Sequence, residues 1–220
     1  MQIAIIGAGN VGGALGKAWA RAGHAITYGV SDPGQAKYRP TAEAAGGARL
    51  ASVGDAARGA ETLVLAVPFD KVDAALAAAG DLSDRALIDV TNPLRMGASG
   101  LELALGFDRS GAEHVARHAP GASVFKTLNH VGFAVMANAA GYAAPPVMFV
   151  AGDDPGRKPA VMGLVSDLGF QAMDAGPLSV ARLLEPLAML WIHMVVNRKA
   201  AGDSAFAFLT PEGTASESRR

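Results

Sequence analysis

Three glycines near the amino terminus, Gly7, Gly9 and Gly12, stand at G-x-G-x-x-G spacing inside the stretch MQIAIIGAGNVGG, Met1 to Gly13. Glycines so placed handle phosphate without a reactive side chain. The first permits a tight turn, the second lets the backbone approach a pyrophosphate, and the third lets a helix pack on the preceding strand with its unsatisfied N–H groups aimed at the phosphates. Polar groups capable of acting on the rest of a dinucleotide stand further along, at Asn92 in Thr91-Asn92-Pro93 and at Asn129 and His130 in Lys126-Thr127-Leu128-Asn129-His130. Asn92 serves either as a donor and acceptor beside a nicotinamide or as a turn-former before proline. His130 serves either as a proton donor or polariser or as a cap. Other chemistries are excluded: Tyr28, Tyr38 and Tyr142 are not followed by a lysine four residues on, and there is no cysteine to act as nucleophile, disulfide or zinc ligand. His114 and His118 share a helix face at i, i+4, but no carboxylate follows at a zinc-binding interval. They read as surface histidines, and no metal is expected.

The elements that must position these groups follow from periodicity. Ile3 to Ile6 is a buried strand, and Val11, Leu15, Ala18, Trp19 and Ala22 recur at helical spacing up to Gly23. A second strand, His24 to Tyr28, closes at Gly29, where an NAD-preferring unit places an acid for the ribose 2′-hydroxyl. Gly29 takes that place and Ser31 follows, with Lys37 and Arg39 near enough to meet a 2′-phosphate. NADP is therefore the expected cofactor, and Asp32 keeps NAD open as the alternative. Glu61 to Val67 is a continuous apolar run, as a parallel strand covered on both faces requires, and Ala86 to Val90 is the fifth strand. Ligands lie beyond the carboxyl ends of such strands, so Val67-Pro68 and Thr91-Asn92 are where the nicotinamide ribose and ring should pass. Arg95 to Asp108, glycine-rich and aperiodic, reads as a mobile loop.

The fold class is α/β, a Rossmann-type doubly wound parallel sheet with a small α/β C-terminal extension. Residues 1–121 form the dinucleotide domain, 122–209 the extension with a long apolar helix, and 210–220 a polar disordered tail. Asp174 to Pro177 reads as a turn before that helix, Leu178 to about Lys199, which is apolar nearly all round from Leu187 to Val196 and so needs burial in the core or in a homodimer contact. The homodimer is favoured.

The 220 residues suffice for this architecture, and the net charge of −1 without charge runs removes the footprint of a nucleic-acid binder. A small-molecule partner is expected instead. A strand beginning at residue 3 leaves no room for a signal peptide, and the apolar stretch 187–196 is half a membrane span, so a cytoplasmic location without membrane contact is expected.

The chain resembles the NADPH-dependent reductases of the deazaflavin coenzyme F420, over nearly its whole length. The resemblance is carried by GAGNVG at 7–12, AVPFD at 66–70, DVTNPL at 89–94, KTLNHVGFAVMAN at 126–138, AGDD at 151–154 and MDAGPLSVARLLE at 173–185, the last two being the most specific. It implies that Ala8, Gly9, Asn10 and Val11 cradle the pyrophosphate and that Val67, Pro68 and Lys71 line the ribose and nicotinamide side. Asn92 and Asn129 then sit near the hydride-transfer face, with Phe206 to Leu209 closing a deazaflavin pocket. The family's Gly-Ser-Arg-like run after the second strand reads Gly29-Val30-Ser31-Asp32 here, without the arginine. Coenzyme F420 is the implied co-substrate, and its anionic tail would want cations, for which Arg95, Arg109, Lys126 and Arg182 are candidates. A flavin, a ferric chelate or a small imine as acceptor, or a non-catalytic dinucleotide sensor, are the rival readings.

Overall fold

Strand and helix alternate from the start: β1 (Gln2–Ile6), α1 (Asn10–Arg21), β2 (Ala25–Val30), α2 (Arg39–Ala44), β3 (Arg49–Ser52), α3 (Val53–Arg58), β4 (Thr62–Leu65), α4 (Val72–Ala79) and β5 (Ala86–Asp89). The second half adds β6 (Leu94–Gly97), β7 (Gly100–Leu103), α5 (Gly111–His118), β8 (Ser123–Lys126), α6 (Phe133–Ala137), β9 (Val147–Gly152), α7 (Lys158–Asp167), β10 (Gln171–Gly176) and α8 (Ala181–Val196). These positions come from a computed structural model, which describes residues 1–98 and 100–211. The tail expected at 210–220 lies, from residue 212 on, outside the described residues.

Eight strands form one sheet in the order β10-β9-β8-β5-β4-β1-β2-β3. The six strands β8-β5-β4-β1-β2-β3 are all parallel, as in a doubly wound fold. Period-two alternation divides the apolar side chains between its faces. Ile3 and Ile5 pack with Leu15 and Trp19 of α1 on one face, while Ala4 and Ile6 pack with Ala56 and Leu76 of α3 and α4 on the other. β1 pairs with β2 on one side and β4 on the other, all three parallel, so the order in which strands are added to the sheet reverses between β1 and β4, and the crevice of such a fold opens above their carboxyl ends.

The region from residue 122 adds strands to this sheet: β8 pairs parallel with β5, β9 runs antiparallel to β8, and β10 follows β9 in parallel. Three expectations need correcting. The stretch 95–108 is not wholly a loop, because β6 and β7 within it pair antiparallel, with Arg95 facing Glu102 and their side chains paired at 2.8 Å. Its glycines concealed the alternation. Asp174 and Gly176 belong to β10 and not to a turn, with a shift of register between them. β2 runs past Gly29 to Val30, and Gly29 is buried within it because a Cβ there would meet Ile6 Cδ1 at 2.7 Å.

Helix α8 also departs from expectation. By length and composition alone, Leu178–Val196 is long and apolar enough to cross a membrane. Ala181, Leu184, Glu185 and Ala188 are buried against the rest of the chain, whereas Leu183, Leu190, Met194 and Val196 are exposed. Only one stripe of the helix is covered.

Candidate functional site

The glycine turn between β1 and α1 is built as its spacing requires. Gly7 has φ +109°, and a Cβ there would stand 2.4 Å from the Ala66 carbonyl oxygen. A Cβ on Gly12 would stand 2.1 Å from the Gly7 carbonyl oxygen, so α1 approaches β1 only with glycine at that position. Gly9 differs: nothing lies within 4 Å of a Cβ placed on it. It is the N-cap of α1 and no side chain caps that end, so the first amides of a twelve-residue helix have no side-chain acceptor. Tight packing behind the turn, open space in front of it and free amides suit a pyrophosphate.

Three cavities border this turn: one, of about 400 Å³, is lined by Ala8 to Asn10, Gly13, Lys17, Thr41 and Phe133, among others, and the other two meet at a shared wall. The first of these two, of about 370 Å³, is lined by Gly9, Asn10, Val11, Ala66 to Phe69, Val90 to Asn92 and Leu94. The second, of about 360 Å³, is lined by Gly7, Ala8, Gly29 to Ser31, Tyr38 and Lys71, among others. Val67 walls both. The structure thus joins Gly9, Asn10, Val11, Val67, Pro68 and Asn92 around the first of these, and Gly7, Ala8 and Ser31 around the second. Lys71 was expected with the nicotinamide, but it follows Pro68 around the start of α4 and lines the cavity of Ser31. Its ion pair with Asp70, at 3.1 Å and largely exposed, leaves the ammonium free to exchange partners. Asp32 is committed to its own loop, accepting from Gly34 N–H at 3.0 Å and from Gln35 Nε2 at 3.2 Å.

Asn92 and Asn129 meet although 37 residues separate them. Asn92 Nδ2 donates to the Asn129 carbonyl at 2.8 Å, and Asn129 Nδ2 donates to Asn92 Oδ1 at 3.0 Å and to the Leu184 carbonyl at 3.0 Å. Asn92 forms part of the cavity wall, while Asn129 is buried behind it.

Beneath this pair lies a charged cluster with no exposed surface to speak of. Lys126 Nζ donates to Asp89 Oδ2 at 2.9 Å and to the Thr91 carbonyl at 2.5 Å, and it pairs with Glu185 Oε1 at 3.0 Å. Asp89 also accepts from the Thr91 N–H and hydroxyl, and Glu185 accepts from Gly111 N–H at 2.8 Å and Ala112 N–H at 3.1 Å at the start of α5. Burial pulls the Lys126 pKa down, but Asp89 and Glu185 outweigh it and hold the ammonium above its ordinary range. Two carboxylates against one ammonium leave a negative excess, which the amino end of α5 offsets. Sequence reading missed Asp89 and Glu185. The available signal was a single acid inside an apolar helix, which demands a buried cation. Lys126 itself cannot serve as a cation at the cavity mouth. The other three candidates are paired as well, Arg95 with Glu102, Arg109 with Asp108 and Arg182 with Glu113.

His130 follows Asn129 but turns away from these cavities. It is fully buried, its Nε2 accepts from Phe149 N–H at 3.5 Å, and its ring lies against Phe149 and Phe206. Burial lowers its pKa to about 4, so the ring is neutral at pH 7. Phe206 to Leu209 runs beside β9, where the Phe206 carbonyl accepts from Val147 N–H at 2.9 Å; it lines none of the cavities at the glycine turn. Asp153 and Asp174 to Pro177, taken from sequence as the most diagnostic segments, lie at the opposite end of the sheet, because β9 runs antiparallel to β8. There Asp174 bonds Lys158 Nζ at 2.8 Å and Gly176 N–H, and Asp153 receives Leu178 N–H. They join β10, α7 and the approach to α8.

Residues 2–93 match the family described as NADP oxidoreductase, coenzyme F420-dependent. A provisionally named F420-dependent NADP reductase of Arthrobacter sp. FB24 is 31% identical, with a TM-score of 0.87, 96% of this chain covered and 100% of that one. A hypothetical protein of Sinorhizobium meliloti is 28% identical with a TM-score of 0.71, covering 81% of this chain and 86% of its own. A reductive aminase of Aspergillus terreus, solved with NADPH and ethyl-5-oxohexanoate, shares the fold at 21% identity and a TM-score of 0.67, over 90% of this chain and 63% of that one.

Proposed function

Since the chain belongs to the family of coenzyme F420-dependent NADP oxidoreductases, we propose that it transfers a hydride between NADP(H) and a deazaflavin of the coenzyme F420 type. The observation that carries this reading is the pair of cavities meeting at the glycine turn, with Val67 as their shared wall. A dinucleotide fits across that wall, its pyrophosphate on the amides of Gly9, Asn10 and Val11, its 2′-phosphate within reach of Ser31 and Lys71, and its nicotinamide over Pro68 toward Asn92. NADPH would supply the hydride when bound, with the balancing proton on the acceptor ring coming from solvent, so the protein need contribute no acid or base at the carbon that accepts it.

The residues of this chain therefore position the reactants. Ala66 to Phe69 and Val90 form an apolar wall that keeps water from the reacting face. Asn92 holds the carboxamide end, itself held by Asn129, which Leu184 and the buried Lys126 cluster fix from behind. His130, neutral and enclosed, supports this layer and is not assigned a proton transfer.

Mixing the protein with NADPH and, separately, oxidised F420, a flavin, a ferric chelate or a cyclic imine, while following nicotinamide absorbance, tests the proposal. Turnover with F420 alone supports it. Turnover only with the imine would favour the second reading, for which the shared fold of the reductive aminase speaks. Tight NADPH binding without turnover would identify a sensor. We further propose a cytoplasmic homodimer whose contact is the exposed stripe Leu183, Leu190, Met194 and Val196 of the 178–199 segment; a monomeric mass in sedimentation would refute the dimer.

A further inference from the structure

The two histidines of α5 acquire in three dimensions the carboxylate that no later sequence interval supplies. Asp73, in the first turn of α4, brings a carboxylate oxygen against His114, with Oδ1 2.6 Å from Nε2. His118 lies beside His114 with ring centroids 4.1 Å apart and the planes tilted by 31°. One donor atom from each of Asp73, His114 and His118 lies within 4.8 Å of the other two. We infer that these three residues bind a divalent transition-metal ion, of the class that prefers imidazole and carboxylate, bridging α4 and α5.

The arrangement around the histidines supports this. A carbonyl oxygen only accepts, so the 2.9 Å contact between His118 Nδ1 and the His114 carbonyl places the His118 proton on Nδ1. That leaves the lone pair of Nε2 for a metal and fixes the ring, as outer contacts do in histidine metal sites. His114 Nε2 lies in hydrogen-bond contact with Asp73 Oδ1; to bind a cation there the imidazole carries its proton on Nδ1, so that the Nε2 lone pair and the carboxylate both face the ion. At bond lengths of about 2.1 Å a tetrahedral edge is about 3.4 Å, so His114 and Asp73 must part by somewhat under an ångström. Asp73 is exposed, and its side chain is free to make that movement. Two imidazoles and one carboxylate select zinc, cobalt, nickel or copper over magnesium or calcium, and leave the fourth position to water. The bridge would hold α5 against α4 behind Phe69, whose ring lies 5.7 Å from that of His114 and which also walls the nicotinamide-side cavity.

The test uses untagged full-length protein titrated with Zn²⁺ by calorimetry and with Co²⁺ by visible absorption, with Mg²⁺ as the control ion. The expected result is saturable one-to-one uptake of Zn²⁺ and Co²⁺, a Zn²⁺-dependent rise in Tm, and affinity lower by at least about tenfold in His118→Ala and in Asp73→Asn. His24→Ala, at the other histidine that touches an aspartate among the described residues, should bind as wild type does. Asp73 and His118 are exposed and His24 is partly covered, and circular dichroism verifies that each variant folds. The inference is overturned if the wild type takes up neither ion saturably, if either variant retains wild-type affinity, or if the loss follows His24→Ala.

Discussion

Asn92 and Asn129 hold each other by two hydrogen bonds, of 2.8 and 3.0 Å, and only Asn92 reaches the cavity wall. The pair therefore acts as one positioning device with its working end at Asn92. Asn92→Ala should lower kcat by about ten- to a hundredfold while NADPH binding, measured by fluorescence, changes little, because misplacing the reacting ring costs rate more than affinity. Unchanged turnover would remove Asn92 from the reaction.

Gly9 stands in open space with φ −82° and ψ −163°, a backbone that any residue adopts. Gly9→Val should leave Tm nearly unchanged while NADP binding falls by at least about a hundredfold, since the added methyls occupy the approach of the pyrophosphate. Gly12→Val serves as the contrast. Its Cβ would stand 2.1 Å from backbone, so it should fail in stability as well as binding.

Lys71, not an arginine after β2, is the cation on the wall of the cavity that holds Ser31. Lys71→Met should weaken NADP binding by about tenfold, the order of one charge-assisted hydrogen bond, and leave NAD binding unaltered. Equal losses for both dinucleotides in parallel titrations would place the 2′-phosphate elsewhere.

Much of this was legible in the chain because it rests on local pattern. The G-x-G-x-x-G turn and the apolar run of β4 are fixed by residues within a few positions of one another. What sequence hid depends on topology. The reversal between β8 and β9 carries Asp174 to Pro177 away from the crevice, and no local pattern announces an antiparallel pairing. The same reversal of expectation applies to Lys126 and Glu185, 59 positions apart in number yet in contact at 3.0 Å, and to Asp73 with His114. Side chains that meet only through helix packing are invisible to spacing rules.

The Lys126 cluster predicts a stability defect. Lys126→Met removes the only cation between Asp89 and Glu185 among the described residues and leaves two carboxylates buried. The loss should be about 3–5 kcal/mol in urea unfolding, the usual result of breaking a buried pair from one side. A loss below about 1 kcal/mol would refute the view that the ammonium is what makes burial of the two carboxylates tolerable.

His130 predicts the shape of the stability curve in mild acid. Its folded-state pKa is depressed to about 4 by burial, against an ordinary value of 6.5, so between these values the unfolded chain binds the proton that the native ring refuses. Stability is therefore unaffected by this group above about pH 6.5, falls as pH drops below it, and stops falling below about pH 4. With roughly 1.4 kcal/mol for each unit of separation, the whole effect is about 3 kcal/mol, and about 2 of it is lost by pH 5. His130→Phe, which keeps an aromatic ring against Phe149 and Phe206, should lose correspondingly less stability between pH 7 and pH 5 in urea titrations. Parallel curves for variant and wild type would mean that His130 is protonated in the native state, and with it the neutral, enclosed role assigned to the ring would fall.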